Sequence, residues 1–315
     1  MVNVLRVVFF GTPDFAVPSL QAILQSGRHT VAAVVTQPDR PRGRHQRLQH
    51  TPVKAVALAC APVLQPERIR TPEFVAELKA FQPDLGVVAA YGKILPDEVL
   101  AVPRLGMINV HASLLPRYRG AAPVHRAVIN GEAETGVTIM RVVRALDAGP
   151  MFARVVTPIG PDDTSDVVEQ RLATSGATLL VDVMDRMAAG SATEEPQDES
   201  QATYAPKITK DEGPIDWTLP ARAIHNRVRG LYPWPHASTT IGGERTLILQ
   251  SRPLEAAATA PPGTVVDVTR DAIHVATGLG TLSLEQLKPE GRRAMSAREF
   301  LAGRPVTPGT VVGAA

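Results

Sequence analysis

From residue 4 to residue 189 the chain alternates short, unbroken apolar runs with stretches of helical periodicity, an order that few folds accept. VLRVVFF (4–10), TVAAVVT (30–36), PVL (62–64), DLGVVAAYG (84–92), GMINVHA (106–112), TGVTIMRVV (135–143) and MFARVVTPI (151–159) read as strands. Helices are predicted over Phe15 to Gln25, over 52–59 with Thr51 as N-cap ahead of Pro52, and from Thr71-Pro72 with Phe74, Val75 and Leu78 inward. A short helix near 96–100, one from about Ala122 to Ile129 and a long one from about Ser165 to Ala189 complete the series. Strands that are apolar throughout are buried on both faces, so the expected fold class is α/β, a mostly parallel sheet covered by helices.

The pattern changes at SATEEPQDES (191–200), which carries four acids and no base and reads as a surface linker. Beyond Lys207 one amphipathic helix near 219–230 precedes TLILQ, GTVVDV, AIHVAT and GTLSLEQL, short runs at close spacing that suggest a small β-barrel. The expected division is therefore 1–190, a linker over 191–206, and 207–315. No apolar run approaches the roughly 18–20 residues of a membrane span, and MVNVLRVVFFGTPDF has no basic leader. The single cysteine, Cys60, excludes an internal disulfide and a thiolate metal cluster. Together these point to a cytoplasmic protein with no membrane contact and no metal.

FFGTPDF lacks the G-x-G-x-x-G spacing that lets a backbone approach a pyrophosphate, and no phosphate-loop motif occurs, which disfavours a dinucleotide oxidoreductase or an NTPase. The informative segment is INVHASLLP (108–116). At a strand end residues i and i+2 share a face, so Asn109 and His111 project together, an amide and an imidazole suited to polarising a carbonyl and moving one proton. A satisfied core histidine is the other reading of His111. Asp147, in RALDAGP, is either a turn residue or a carboxylate that meets His111 and fixes its tautomer. Ser113-Leu114-Leu115-Pro116 leaves the strand as a rigid turn whose free backbone groups are placed to edge a pocket.

Charge is distributed unevenly although the net is only +2. Between Asp39 and Lys54 five bases face one acid, and the alternating Arg40, Arg42 and Arg44 of QPDRPRGRHQR suit phosphate contacts on a loop whose prolines and glycine deny it helix or strand. Beyond Lys207, Arg222, His225, Asn226 and Arg229 fall at helical spacing on one polar face opposite Ile224, Val228 and Leu231. Tyr232-Pro233-Trp234-Pro235 reads as a core anchor rather than a base-stacking platform.

FFGTPDFAVPSL, TQPDRPRGR, AAYGKILP, INVHASLLPRYRGAAPVHRAVINGE, TGVTIM, LDAGPM, KITKDEGPIDW and YPWPHA together resemble the methionyl-tRNA formyltransferase family nearly end to end. The central block is specific to folate-dependent formyltransferases in general; the arginine loop and the second domain narrow it. The resemblance implies a Rossmann-like catalytic domain followed by an OB-like β-barrel. It implies formyl transfer from 10-formyltetrahydrofolate to the methionine amine of initiator methionyl-tRNA. No long hydrophobic seam demands a dimer, so a monomer is the expectation. Carried over by position, Asn109, His111 and Asp147 are the expected catalytic trio and Ser113, Leu114, Leu115 and Pro116 the expected folate-binding stretch. Arg40, Arg42 and Arg44, with Lys207, Arg222 and Arg229 of the second domain, are the expected tRNA contacts.

Overall fold

The computed structural model describes residues 4–42, 47–255 and 260–313. In chain order the first elements are β1 (Arg6–Gly11), α1 (Val17–Ser26), β2 (Thr30–Val35), β3 (Arg40–Arg42), β4 (Arg47–Gln49), α2 (Pro52–Ala57), β5 (Val63–Leu64) and α3 (Pro72–Ala80). Next come β6 (Leu85–Ala89), α4 (Asp97–Leu100), β7 (Met107–His111), β8 (Arg119–Gly120), α5 (Pro123–Ile129), β9 (Glu134–Arg141), β10 (Met151–Pro158), α6 (Ser165–Ala188) and β11 (Tyr204–Ala205). The chain continues through α7 (Ala221–Gly230), β12 (Ala237–Ile241), β13 (Glu244–Leu254), β14 (Val265–Val268), β15 (Ile273–Ala276), β16 (Thr281–Pro289), β17 (Met295–Ser296) and α8 (Ala297–Gly303).

Two units emerge. The first comprises residues up to Gly120, Glu134–Pro158 and Glu169–Ala205; the second comprises Ala121–Ala133, Ile159–Val168 and the chain from Pro206 onward. The second unit thus draws in α5 and the first turn of α6, both from within the expected catalytic domain. Residues 191–205, expected as a linker, group with the first unit.

The first unit is built on a seven-stranded sheet of order β10-β9-β7-β6-β1-β2-β5. From β7 to β5 all pairings are parallel, while β9 and β10 are added antiparallel at one edge. Val7, Phe9 and Phe10 of β1 have no exposed surface, as an unbroken apolar run at the centre of a doubly covered sheet requires. Helix starts follow the sequence signals: Thr51 Oγ1 accepts from Lys54 N–H (3.1 Å) to cap α2, and Thr71 Oγ1 from Phe74 N–H (3.3 Å) to cap α3. β1, β6 and β7 run in one direction, so their C-terminal ends, at Gly11, Ala89 and His111, lie at the end of the sheet where open α/β folds place ligands.

The second unit is an antiparallel sheet of order β12-β13-β16-β15-β14, with β17 on β16. It encloses a core that includes Trp217, Ile224, Val228, Ile248, Val275, Leu284 and Phe300, a small antiparallel β domain where the strand spacing predicts a barrel and the resemblance an OB-like one. Trp234, expected to anchor a core, is 53% exposed and is not part of the second unit's core, whose buried indole is Trp217. No helix among the described residues is long and apolar enough to cross a membrane.

Candidate active site

Along β7 the side chains alternate. Val110 goes to the face covered by α6, where it meets Gly176, and Asn109 and His111 share the other face. The His111 ring is 6% exposed and lies at the strand's last position. Its Nε2 donates to the Tyr118 carbonyl at 3.0 Å, and since a carbonyl only accepts, that bond fixes the tautomer. The lone pair of Nδ1 then faces Asp147 Oδ2 at 3.8 Å. The tautomer is therefore set by Tyr118 and not, as expected from the sequence, by Asp147. Asn109 is half-buried, and its amide makes no hydrogen bond to any described residue.

Asp147 is brought to His111 by the 142–150 connection between β9 and β10. It adopts the left-handed region (φ +47°), which side chains other than glycine rarely enter. Its Oδ2 accepts from Gly120 N–H at 2.8 Å. Gly120 aims that N–H from a φ of +115°, and a Cβ there would stand 2.9 Å from the Ala205 carbonyl, so only glycine serves.

The Ser113–Pro116 turn has far fewer free backbone groups than the sequence suggests. Thr138, opposite His111 across the β7–β9 ladder, donates from Oγ1 to Ser113 O (2.7 Å) and accepts from Leu115 N–H (3.1 Å). Arg117 N–H takes Leu114 O, Thr203 N–H takes Pro116 O, and Ser113 N–H is given to His111 O. Leu114 N–H remains. Leu115 packs with Met140 and Met151, which holds the turn against β9 and β10. Thr138, Tyr118 and Gly120 were missed as contributors to the site; the only sequence signal for them is their place inside TGVTIM and PRYRG.

A cleft of about 770 Å3 opens in the same unit, lined by Ile69, Val75, Ile94, Leu95, Pro96 and Arg144. That volume is within the range of about 300–1,000 Å3 typical of small-molecule sites. It adjoins the Asp147 connection through Arg144, and its wall at Ile94, Leu95 and Pro96, just before α4, presents Ile94 at 73% exposure. Its lining mixes those apolar side chains with the charged Arg70, Lys79, Asp97 and Glu98.

The basic segment after β2 is not a plain loop. Arg40–Arg42 and Arg47–Gln49 pair as an antiparallel hairpin, with Arg40 opposite Gln49 and Pro41 opposite Leu48. Pro41 is tolerated because a two-stranded ribbon has edges where a missing N–H costs nothing. Desolvation raises the Asp39 carboxyl, but hydrogen bonds from Lys54 (2.7 Å), Gln65 (2.8 Å) and His50 (2.8 Å) outweigh it and hold the group well below the usual carboxylate range. The one acid of the segment is thus consumed at the hairpin's base, and Arg40 stands exposed. Arg44 and the side chain of Arg42 lie outside the described residues.

Of the second-unit cations, Lys207 and Arg222 are exposed, but Arg229 is 6% exposed and engaged internally. Its Nε and Nη2 donate to Asn226 Oδ1 (3.0 and 2.8 Å), and its Nη1 donates to the carbonyls of Gly160 and Asp163 (3.2 and 3.1 Å). His225 donates from Nε2 to Pro161 O (2.9 Å) and reaches Ser251 Oγ with Nδ1 (3.2 Å). The polar face of α7 is therefore an internal hydrogen-bonded seam against 159–168, and Arg229 is withdrawn as a tRNA contact: helical spacing reports a shared face, not what covers it.

Residues 5–184 match the family model described as formyl transferase, and residues 207–305 match the formyl transferase C-terminal domain. A methionyl-tRNA formyltransferase of Moorella thermoacetica is 49% identical over 310 residues, covering 98% of this chain and 99% of its own. That of Bacillus subtilis is 46% identical over 310 residues, with 98% of each chain covered. Among solved structures, an N-formyltransferase from Helicobacter canadensis in complex with folinic acid and dTDP-3-aminofucose has a similar fold, with a TM-score of 0.65 and 17% identity over 89% of this chain and 98% of its own. HypX from Aquifex aeolicus in complex with tetrahydrofolic acid gives a TM-score of 0.63 and 17% identity over 94% of this chain, which spans 47% of that longer protein.

Proposed function

The chain belongs to the formyl transferase family, and from that membership we propose that it moves a formyl group from 10-formyltetrahydrofolate to the α-amine of methionine on initiator methionyl-tRNA. The observation that carries this reading is the triad geometry: an Asn109 amide with no hydrogen bond to any described residue, beside a His111 whose free nitrogen faces a carboxylate at 3.8 Å. It is supported by relatives 46–49% identical along their whole length.

The reaction is one acyl exchange. The methionine amine forms a bond to the formyl carbon, the bond from that carbon to N-10 of the folate breaks, and one proton passes from the amine to N-10. Asn109 donates to the formyl oxygen as it gains negative charge, a type of contact worth roughly 2.7–4 kcal/mol in the transition state. His111 Nδ1 is the base that holds the proton in transit, and Asp147 stabilises the imidazolium while it does so. Leu114 N–H and the cleft lined by Leu95 and Pro96 are the groups offered to the folate. The exposed Arg40 of the β3–β4 hairpin, with Arg42 and Arg44, holds acceptor-stem phosphates, and Lys207 and Arg222 add contacts from the second unit. We assign the enzyme to the cytoplasm and expect it to act as a monomer.

The test is incubation with 10-formyltetrahydrofolate and charged initiator methionyl-tRNA, followed by measurement of formylmethionine after mild base hydrolysis. Charged elongator methionyl-tRNA and His111→Ala serve as controls. Formylation of the initiator alone, abolished in the variant, is expected. No product, with turnover of an amino sugar nucleotide instead, overturns the assignment of acceptor.

A further inference from the structure

Gln197 lies in the acidic stretch that the sequence presents as a linker, yet its side chain has four hydrogen bonds in the first unit. Its Nε2 donates to two carbonyls of the 142–150 connection, Asp147 O at 2.8 Å and Gly149 O at 2.7 Å. Its Oε1 accepts from Arg119 Nε at 3.0 Å and Nη2 at 2.7 Å. The amide oxygen thus meets only donors and the nitrogen only acceptors, so its orientation is fixed by its neighbours.

We propose that Gln197 is a positioning residue for the transfer reaction, bracing the Asp147 backbone so that the carboxylate stays beside His111. Asp147 holds a left-handed conformation that must be over-determined by its surroundings to persist. Two grips do this. Gln197 takes the backbone carbonyl, and Gly120 N–H takes the carboxylate at 2.8 Å. Both grips rest on one post. Arg119, 2% exposed, anchors Gln197 and immediately precedes Gly120, and Glu199 clamps its guanidinium through two bonds of 2.9 and 2.8 Å. The main chain on either side is tied down as well. Glu195 and Met151 exchange two backbone hydrogen bonds of 2.8 Å, and Arg119 pairs with Tyr204. The short acidic stretch therefore acts as a strut from the end of α6 to the Asp147 connection.

This rests on the reading of Asp147 as the carboxylate that supports His111, and the experiment separates the two. Gln197→Glu keeps the length and the acceptor for Arg119 but turns a carboxylate oxygen toward two carbonyl oxygens, which breaks the grip on the connection alone. Glu244→Gln is the counterpart: it weakens the Arg304 ion pair of the second unit and touches neither Arg119 nor the connection. With wild-type turnover as reference, Gln197→Glu is expected to lose on the order of 100-fold in kcat, as small displacements of reacting groups do. Its KM for tRNA and for the formyl donor should stay within about threefold, and amide hydrogen exchange over 146–149 should accelerate. Glu244→Gln should melt lower yet keep kcat within about threefold. The proposal is overturned if Gln197→Glu retains wild-type kcat and exchange, or if both variants lose kcat in parallel with melting temperature. Should the wild type form no formylmethionine, the functional reading fails by itself, and the exchange comparison still decides whether Gln197 braces the connection.

Discussion

Replacing Asp147 with Asn isolates the electrostatic part of the site. The two side chains are nearly isosteric, and Asn keeps an oxygen for the Gly120 N–H that Asp147 now accepts at 2.8 Å, so the connection retains its geometry. Only the charge is lost. In the neutral imidazole the Nε2 proton goes to Tyr118 O, and the Nδ1 lone pair faces the carboxylate at 3.8 Å without attraction. Attraction begins when Nδ1 takes a proton, so the carboxylate favours the proton-carrying state over the resting one and contributes to kcat rather than to binding. Unit charges about 4 Å apart at an effective dielectric of about 20 attract by about 4 kcal/mol, an upper value because Asp147 is partly solvated. At about 1.4 kcal/mol per decade that corresponds to at most roughly a thousandfold. Asp147→Asn should therefore lose on the order of 10²–10³ in kcat in the formylmethionine assay, with little change in KM for tRNA or in melting temperature. A variant within about fivefold of wild-type kcat, or one whose loss lies in KM, refutes the reasoning. Asp147→Ala should be worse, since it also strips Gly120 N–H of its acceptor, a loss of about 1–3 kcal/mol.

Arg40→Ala should raise KM for tRNA and lower the slope of log affinity against log salt by about one; an unchanged slope makes the hairpin a solvated feature. Arg229→Ala should instead lower the melting temperature and leave the salt slope alone, because its donors are consumed inside the second unit; a shifted slope would restore it as a contact. His125 and His225 are depressed below the ordinary value of 6.5, mainly by burial. The unfolded chain takes up those protons at about pH 6.5 while the folded protein stays neutral, so their share of stability is complete above that pH and lost as it falls. Thermal melts from about pH 7.5 down to 5.5 should decline, and His225→Gln should flatten the decline; a melting temperature that holds or rises contradicts the burial argument.

Much of the fold is legible because it rests on periodicity. The unbroken runs at Val7–Phe10 and Leu85–Val87 become central strands of a sheet buried on both faces, and Thr51 and Thr71 cap the helices they precede, since those signals act within one turn or one strand. The site was partly legible for the same reason: Asn109 and His111 share a face by strand geometry alone. Arg229 shows the limit, since an i, i+4 spacing that reads as an outward polar face is buried by residues 159–168, far away in sequence.

The order of strands and helices, the shared face of Asn109 and His111 and the basic character of the 39–54 segment follow from the amino-acid sequence by itself, because alternation, helical period and formal charge are local properties. Tertiary structure alone decided the tautomer of His111, the approach of Asp147 to within 3.8 Å of it and the bracing of that aspartate by Gln197, 50 residues onward. Those are contacts and hydrogen bonds whose partners are selected by how the backbone closes, which no residue spacing encodes.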